Sequence, residues 1–376
     1  MATAVKNVLI IGGGFSGMSA AIELRKRGVA VDVVEIDPGW RSYGAGISLG
    51  GATFRAFRQL GILDEFLKRG HAADGVDLAL ANGIPIGSLP TPRLAGPDVP
   101  GGGAIMRPVL AEILAAATKN SGADVRLGCT FTAIEQDESS VQVSFTDGQV
   151  RQYDLVIGAD GLNSAVRSHV FPGAPSPAYT GQGVWRAVLP RPAWASNAKM
   201  WIGQHLKVGI NPVSKEEMYL FLTEDRPSNE WIDPNSFLSA LRDLLTEFPA
   251  PEVAELREAL TPASQIVYRP LEGLLVDRPW YSGRVVLIGD TVHATTPHLA
   301  SGACIGIEDA LVLADELAAH ETLPTALVAF QERRWERCRM VVQNSGRLGD
   351  IEISGGDKEE HARIMRESLI ALAAPI

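Results

Sequence analysis

The sequence predicts an α/β fold: a mostly parallel sheet with its helices, an antiparallel β-sheet inserted into it, and helices at the C-terminal end. Three observations predict it. Apolar runs without polar alternation recur at residues 8–11, 155–157 and 285–288, and each ends in a glycine turn. Within residues 178–266, apolar and polar side chains alternate instead. From residue 306 onward the pattern is mainly that of long helices. Unbroken apolar runs suit strands buried on both faces, and alternation suits antiparallel strands with one solvated face.

The first unit is strand, glycine loop, helix, strand, acid. Val8-Leu9-Ile10-Ile11 is the strand, and Gly12-Gly13-Gly14-Phe15-Ser16-Gly17 follows at once. Residues 18–27 read as a helix with Gly28 as its stop. Residues 31–35 are the second strand, ending in Glu35. Gly12 allows a tight turn, Gly14 lets backbone approach a pyrophosphate, and Gly17 lets helix and strand pack closely. The helix N-terminus turns free N–H groups and a positive dipole end toward phosphates. Glu35 stands 18 residues after Gly17, where a carboxylate can accept from two ribose hydroxyls. This is a Rossmann-like dinucleotide-binding unit.

The motif alone does not separate FAD from NAD. A glycine-rich loop, residues 40–47, comes where a nicotinamide dehydrogenase usually continues into another crossover. Residues 52–60 and 107–118 read as helices. Pro108 suits a first helical turn, and Arg107 beside it either meets a phosphate or is an ordinary surface arginine.

Two further motifs complete the set. Gly158-Ala159-Asp160-Gly161 runs on to Ser164 and Arg167. Gly289-Asp290 leads through His293 to Pro297, His298 and Ala300-Ser301-Gly302-Ala303. In open parallel sheets, ligands sit at the carboxyl ends of strands, where both aspartates stand. Either aspartate alone is equally readable as a turn residue. Together the three motifs resemble the single-component FAD-dependent aromatic hydroxylases, the group of salicylate, 3-hydroxybenzoate and 4-hydroxybenzoate hydroxylases. The resemblance covers residues 5–345.

That resemblance implies non-covalent FAD, with NADH or NADPH as co-substrate. It implies that Gly12, Gly14, Phe15, Ser16 and Gly17 hold the ADP part and Glu35 the ribose. Arg41 and Arg107 lie near the FAD, and Asp160 is cofactor-binding as part of the middle motif, which contributes to FAD and NAD(P)H use. Gly289 and Asp290 meet the ribityl or pyrophosphate part. Pro297 abuts the reactive edge of the ring, and Gly302 and Ala303 offer backbone near its carbonyls. Many relatives carry Gly-Gln-Gly where this chain has Ala300-Ser301-Gly302, so the detail of that loop departs from the pattern.

The expected domain organisation is FAD-binding over residues 1–70, 97–177 and 267–345, with the substrate domain inserted as 71–96 and 178–266, and a helical tail over 346–376. The tail has no evident chemistry. Strands are expected within 183–189, 199–202, 206–210 and 218–222, and helices over 233–247, 252–260 and 322–347. In the resembling family the substrate lies between this sheet and the flavin. His205 is expected to act as the base that activates a phenol, or else is a satisfied or exposed strand histidine. Tyr219 faces substrate or packs in the core. His298, beside Pro297, reaches substrate or is structural. Arg186 binds a substrate carboxylate or makes an ordinary ion pair. His293 is read as a structural hydrogen-bond partner.

The resemblance further implies a monooxygenase that hydroxylates an electron-rich aromatic or heteroaromatic ring with O2, through a C4a-hydroperoxyflavin. A histidine suits the base, since its ordinary pKa lies near neutrality. The rival readings are another FAD-dependent oxidoreductase, a reductase or oxidase, and a flavin-bound sensor.

Bulk properties bound the rest. At 376 residues with a net charge of −10, the chain is an acidic two-domain protein rather than a nucleic-acid binder. Its three cysteines are widely spaced and fit no zinc pattern or disulfide framework, so no metal and a cytoplasmic setting are expected. Residues 1–7 lead into a strand without the features of a secretory signal. No apolar run reaches about 18 residues, so no membrane span is expected. A monomer or homodimer is the family-level expectation.

Overall fold

The computed structural model describes residues 3–376; Met1 and Ala2, which head the N-terminal segment discussed above, lie outside the described residues. The glycine motifs leave one six-stranded sheet. Its order is Tyr281–Ser282, Val285–Leu287, Leu155–Gly158, Asn7–Ile11, Ala30–Glu35, Asp124–Leu127. All neighbours are parallel except the Tyr281–Ser282 edge. Ile11 pairs with Gly158, and Gly158 with Leu287. The three motifs therefore emerge side by side at one end of the sheet. Leu9, Ile10, Val156 and Val286 are fully buried, which explains their unbroken apolar runs.

The helix Phe15–Lys26 packs against the helix Gly302–Ala319 on this sheet. The latter begins four residues before the expected start at 306, so Gly302 and Ala303 form its first turn. The next helix, Leu323–Ser354, runs seven residues beyond the expected 347. The tail is a further helix, Lys358–Ala373.

A seven-stranded sheet forms the second layer. Its order is Val267–Gly273, Ala178–Pro190, Glu217–Asp225, Leu206–Pro212, Ala198–Ile202, Val76–Leu80, Pro85–Leu89. It is antiparallel except where Ala198–Ile202 meets Val76–Leu80. Two expected boundaries shift. Val267–Gly273 pairs with Ala178–Pro190, so the inserted sheet extends past residue 266. His71–Ala73 belongs instead to a small sheet with Gly46–Gly50 and Gly102–Met106. A three-stranded antiparallel meander, Phe131–Gln136, Val141–Phe145 and Val150–Tyr153, completes the strands described here.

The two faces of the seven-stranded sheet differ by the two-residue period of a strand. Trp185, Ala187, Leu189, Leu220 and Leu222 point to one side and pack with the helices Phe237–Leu245 and Pro251–Ala259. Arg186, Tyr219, Phe221 and Arg269 point to the other, toward the parallel sheet.

Candidate active site

A cavity of about 900 Å³ separates that face from the carboxyl ends of the parallel strands. At one end lies the glycine loop. Gly12 holds φ +108°, and a Cβ there would come 2.3 Å from the Ala159 carbonyl oxygen. A Cβ at Gly17 would meet the Gly12 carbonyl oxygen at 2.1 Å. Both glycines are therefore dictated by protein packing. At Gly14 a Cβ would meet no protein atom within 4 Å. That residue is bordered by open cavity, where a ligand's phosphates can approach. No side chain caps the helix Phe15–Lys26, so its first-turn N–H groups are left for such a ligand.

Glu35 accepts the Gly13 N–H at 2.7 Å and the Asp37 N–H at 2.8 Å. These bonds aim the carboxylate along the cavity rim, where ribose hydroxyls can use its remaining lone pairs. Trp40, which sequence reasoning missed, donates its indole N–H to the Gly13 carbonyl oxygen at 2.8 Å and covers the loop. Arg41 lies at the exposed rim and folds back onto Asp37 at 3.1 Å.

Ser16 links the first motif to the third. Its side chain fits against Gly289 and Gly306, where an added Cβ would come 2.4 Å from its Oγ. Asp290 follows Gly289 and faces the cavity without a side-chain hydrogen bond or ion pair among the described residues. Burial by the surrounding protein pushes its carboxyl up, and His293 and Arg107 pull it back. A carboxylate here suits a ribityl hydroxyl, which can donate, better than a pyrophosphate, which cannot. Pro297, Gly302 and Ala303 also line the cavity, and no side chain caps the helix that Gly302 begins.

Two expected site residues are placed elsewhere. The Asp160 carboxylate accepts from Ser164 Oγ and, at 3.0 Å, from the Val166 N–H. It shapes its own turn, while Ala159, Gly161 and Leu162 face the cavity. His205 is not on the cavity wall. The strands Ala198–Ile202 and Leu206–Pro212 are joined by a tight turn, with the Gly203 N–H on the Leu206 carbonyl oxygen at 2.9 Å. That puts His205 at an exposed hairpin tip, its ring 3.5 Å from Asp225. The expected strand position becomes a turn, and the role of base in the cavity is withdrawn.

The end of the cavity beneath the seven-stranded sheet is built on Arg186, Tyr219 and Arg269. Tyr219 is buried, and a Cβ at Gly46 would come 2.0 Å from its ring. Its hydroxyl is hydrogen-bonded to Ser48, so it bridges the large and small sheets. Burial pushes the phenol up, while Ser48, Arg186 and Arg107 oppose that. Arg107 and Arg186 are both desolvated, which lowers them from the usual arginine value. Among the described residues, no carboxylate forms an ion pair with Arg107, Arg186 or Arg269. Arg269 and Ser48 carried no motif that sequence reading could seize. Period 2 along Val267–Gly273 would have put Arg269 on the face of Val267.

His298 is buried in the cavity wall with Thr296. Its Nδ1 lies 2.8 Å from the Thr296 hydroxyl, and its Nε2 lies 3.3 Å from Glu352 Oε2. Burial and then Lys207 lower its pKa, while Glu352 opposes them. His293, by contrast, is buried against Asp309 and Trp280, away from the cavity. The C-terminal helix, which the sequence left without a role, contributes Met365, Leu369 and Leu372 to the cavity wall.

Comparison with known proteins agrees with this geometry. Residues 6–345 match the family model described as FAD binding domain. The chain is 32% identical over 354 residues to aurachin C monooxygenase/isomerase of Stigmatella aurantiaca, covering 92% of this chain and 89% of that protein. It is 30% identical over 369 residues to 3-hydroxybenzoate 6-hydroxylase of Polaromonas naphthalenivorans, covering 92% and 87%. The crystal structure of Klebsiella pneumoniae HpxO with FAD and uric acid superposes with a TM-score of 0.83 at 26% identity, covering 98% of this chain and 97% of that one.

Proposed function

The chain belongs to the FAD binding domain family and is an FAD-dependent flavoprotein monooxygenase, and on that premise we propose that it hydroxylates an anionic, electron-rich aromatic or heteroaromatic ring with NADH or NADPH and O2. One observation carries the substrate class. Arg186 and Arg107 are desolvated, and Arg269 stands on the same sheet face as Arg186, yet none has a carboxylate partner among the described residues. Arg107 and Arg186 are half-buried and Arg269 is exposed to the cavity, so an anionic ligand can take charge-assisted hydrogen bonds from them in place of water. Lys207 on the same face differs, being paired with Glu352 at 2.6 Å. The relatives that act on 3-hydroxybenzoate and bind uric acid support the same chemistry.

The roles follow from position. Gly14, the helix start at Phe15 and Ser16, and Glu35 hold the ADP part of FAD. Asp290 meets the ribityl hydroxyls, and Pro297, Gly302 and Ala303 border the ring. Bound FAD supplies the redox chemistry that takes electrons from NAD(P)H and delivers one oxygen atom of O2 to the substrate. Arg186, with Arg269, orients the substrate anion, and Tyr219 fixes the ring between Arg186 and Arg107. Met365, Leu369 and Leu372 exclude water from the far wall. His298 takes the substrate's proton through the Thr296 hydroxyl, which makes the ring more nucleophilic. The three buried, unpaired cysteines support a cytoplasmic setting, and no helix among the described residues is long and apolar enough to cross a membrane. A monomer or homodimer is proposed.

The test is a panel of aromatic acids and their neutral amides, with NADH or NADPH oxidation, oxygen uptake and product mass as readouts. An acid that stimulates turnover and gains one oxygen atom, while its amide does not, supports the reading. Equal turnover of acid and amide removes the anionic substrate class.

A further inference from the structure

The row of residues that begins at Arg186 continues across the seven-stranded sheet. Residues directly opposed in neighbouring strands share one face. Arg186 pairs with Phe221, Phe221 with Gly209, Gly209 with Met200, and Met200 with Leu78. Arg186, Phe221, Met200 and Leu78 all line the cavity. Strands lie about 4.8 Å apart, so the row runs roughly 19 Å from Arg186 to Leu78. Its charge stands at one end only. Beside it Ala198 pairs with Val76, and both line the cavity too. Lys199, between Ala198 and Met200, belongs to the opposite face and is bonded to Glu252 at 2.8 Å. Lys207, two residues along from Gly209, is paired with Glu352 at 2.6 Å.

Phe221 would divide this row if Gly209 carried a side chain. A Cβ at Gly209 would come 2.4 Å from Phe221 Cζ and 2.5 Å from its Cε1. The ring therefore leans across onto the glycine's strand instead of standing up into the cavity. A glycine inside a strand commonly marks such a close approach. Beyond Met200 and Leu78 the same face continues to the opposed pair Ile202 and Leu80, which are 37% and 42% exposed. The apolar strip thus starts beside Arg186 and reaches the surface.

We propose that the substrate carries an aliphatic chain, which lies along Phe221, Met200 and Leu78 while its anionic ring sits at Arg186, and that Gly209 sets the room for that chain. A lone aromatic acid is shorter than two strand spacings, about 10 Å, and leaves Met200 and Leu78 without an occupant. A chain extends the ligand over the apolar part of the row, where it meets no charged group. Each methylene buried there strengthens binding about fourfold. The gain ends where the chain passes Leu78 and emerges at Ile202 and Leu80.

This inference rests on the anionic-ring reading for the place of the ring, so its test reads binding as a function of chain length. The probes are 4-alkylbenzoates from methyl to octyl and the matching benzamides, titrated by calorimetry into the FAD-loaded protein. Affinity is expected to rise about threefold or more per methylene over the first carbons and then to level off. Gly209→Ala lifts Phe221 into the path, and Leu78→Asn puts a polar group at its end. Each is expected to cut the gain from methyl to hexyl about tenfold or more. Should Gly209→Ala not fold, Leu78→Asn decides. Affinity that is flat with chain length overturns the proposal, as does a gain that the folded variants keep in full. Acids and amides that bind equally well remove the anionic class, and the chain-length gain within either series still judges the groove. Oxygenated product from wild type judges the hydroxylase reading separately.

Discussion

His293 and Asp309 meet at 2.5 Å with both side chains fully buried, and the same carboxylate accepts the Gly289 N–H at 2.9 Å. Arg334, from the helix Leu323–Ser354, donates to its other oxygen at 2.8 Å. One carboxylate thus ties the Gly289–Asp290 turn to two long helices. Removing one partner of a buried ion pair leaves an uncompensated charge, at a cost of about 3–5 kcal/mol. Asp309→Asn is expected to lower stability by about that amount and to weaken FAD binding through the loosened turn. Denaturant melts of FAD-free and FAD-loaded protein check it; a variant as stable as wild type would remove the structural role.

The same pair sets a pH dependence. Burial alone would lower His293, but Asp309 and Cys338 raise it well above its ordinary value. Its contribution is therefore full below about pH 6.5 and is lost as pH climbs through the raised value. Burial alone would raise Asp309, but His293 and Arg334 bring it down to about 2. Its contribution is present above about pH 4 and is lost as pH falls through about 2. The pair should hold through neutrality and weaken at alkaline pH. Melting temperatures from pH 6 to pH 10 should fall more steeply for wild type than for Asp309→Asn. Parallel curves would contradict the assignment.

Gly14 and Gly17 belong to one motif but answer to different constraints. A Cβ at Gly17 would lie 2.1 Å from the Gly12 carbonyl oxygen, whereas one at Gly14 meets no protein atom within 4 Å. Gly14 has φ −74°, which any residue adopts. Gly17→Ala should therefore destabilise the protein with or without FAD, by about 1–3 kcal/mol through overpacking. Gly14→Ala should leave the FAD-free protein as stable as wild type and weaken FAD binding about tenfold or more, since the methyl group intrudes on the pyrophosphate. Fluorescence titration with FAD, beside thermal melts, separates the two. Equal FAD affinity in Gly14→Ala and wild type would place the pyrophosphate elsewhere.

How much of this was legible in the sequence depends on whether a constraint is local. Gly12, Gly17 and Glu35 obey short-range geometry, and their spacing announces it. The parallel strands were legible because burial on both faces leaves unbroken apolar runs. His205 misled because alternation continues up to a turn and does not mark where the hairpin closes. Asp160 misled because a carboxylate at a strand end serves a cofactor or its own turn equally well, and only the Ser164 and Val166 contacts decide. Arg269 was invisible for a third reason. It enters the cavity through long-range packing, from a segment with no motif of its own.

Arg186 is the residue on which the substrate class turns. Charge-assisted hydrogen bonds contribute about 1.5–3 kcal/mol, which corresponds to roughly 10- to 150-fold in affinity. Arg186→Gln should raise KM for an aromatic acid within that range and change KM for a neutral analogue little. Arg186→Lys keeps the charge but loses the planar fork, so it should fall between. If acid and neutral analogue suffer equally, Arg186 packs the sheet and does not read charge.

Ala300 sits in the left-handed region, at φ +47° and ψ 31°, in the loop between Pro297 and the helix that Gly302 begins. An L-residue with a Cβ costs about 1–2 kcal/mol there. Replacement by glycine relieves that strain but gives back about 0.4–1 kcal/mol through a freer unfolded chain. Ala300→Gly should therefore be neutral to about 1 kcal/mol more stable, and Ala300→Val clearly less stable, since a β-branched residue fits that conformation worst. The Ala300 N–H bonds the Pro297 carbonyl oxygen at 2.9 Å, and glycine retains this bond. The turn that places Pro297 should survive the change, and FAD affinity should stay the same. Thermal melts of the three proteins decide the matter. A clear loss of stability in Ala300→Gly would mean that the methyl group packs into the cavity wall strongly enough to outweigh its backbone strain.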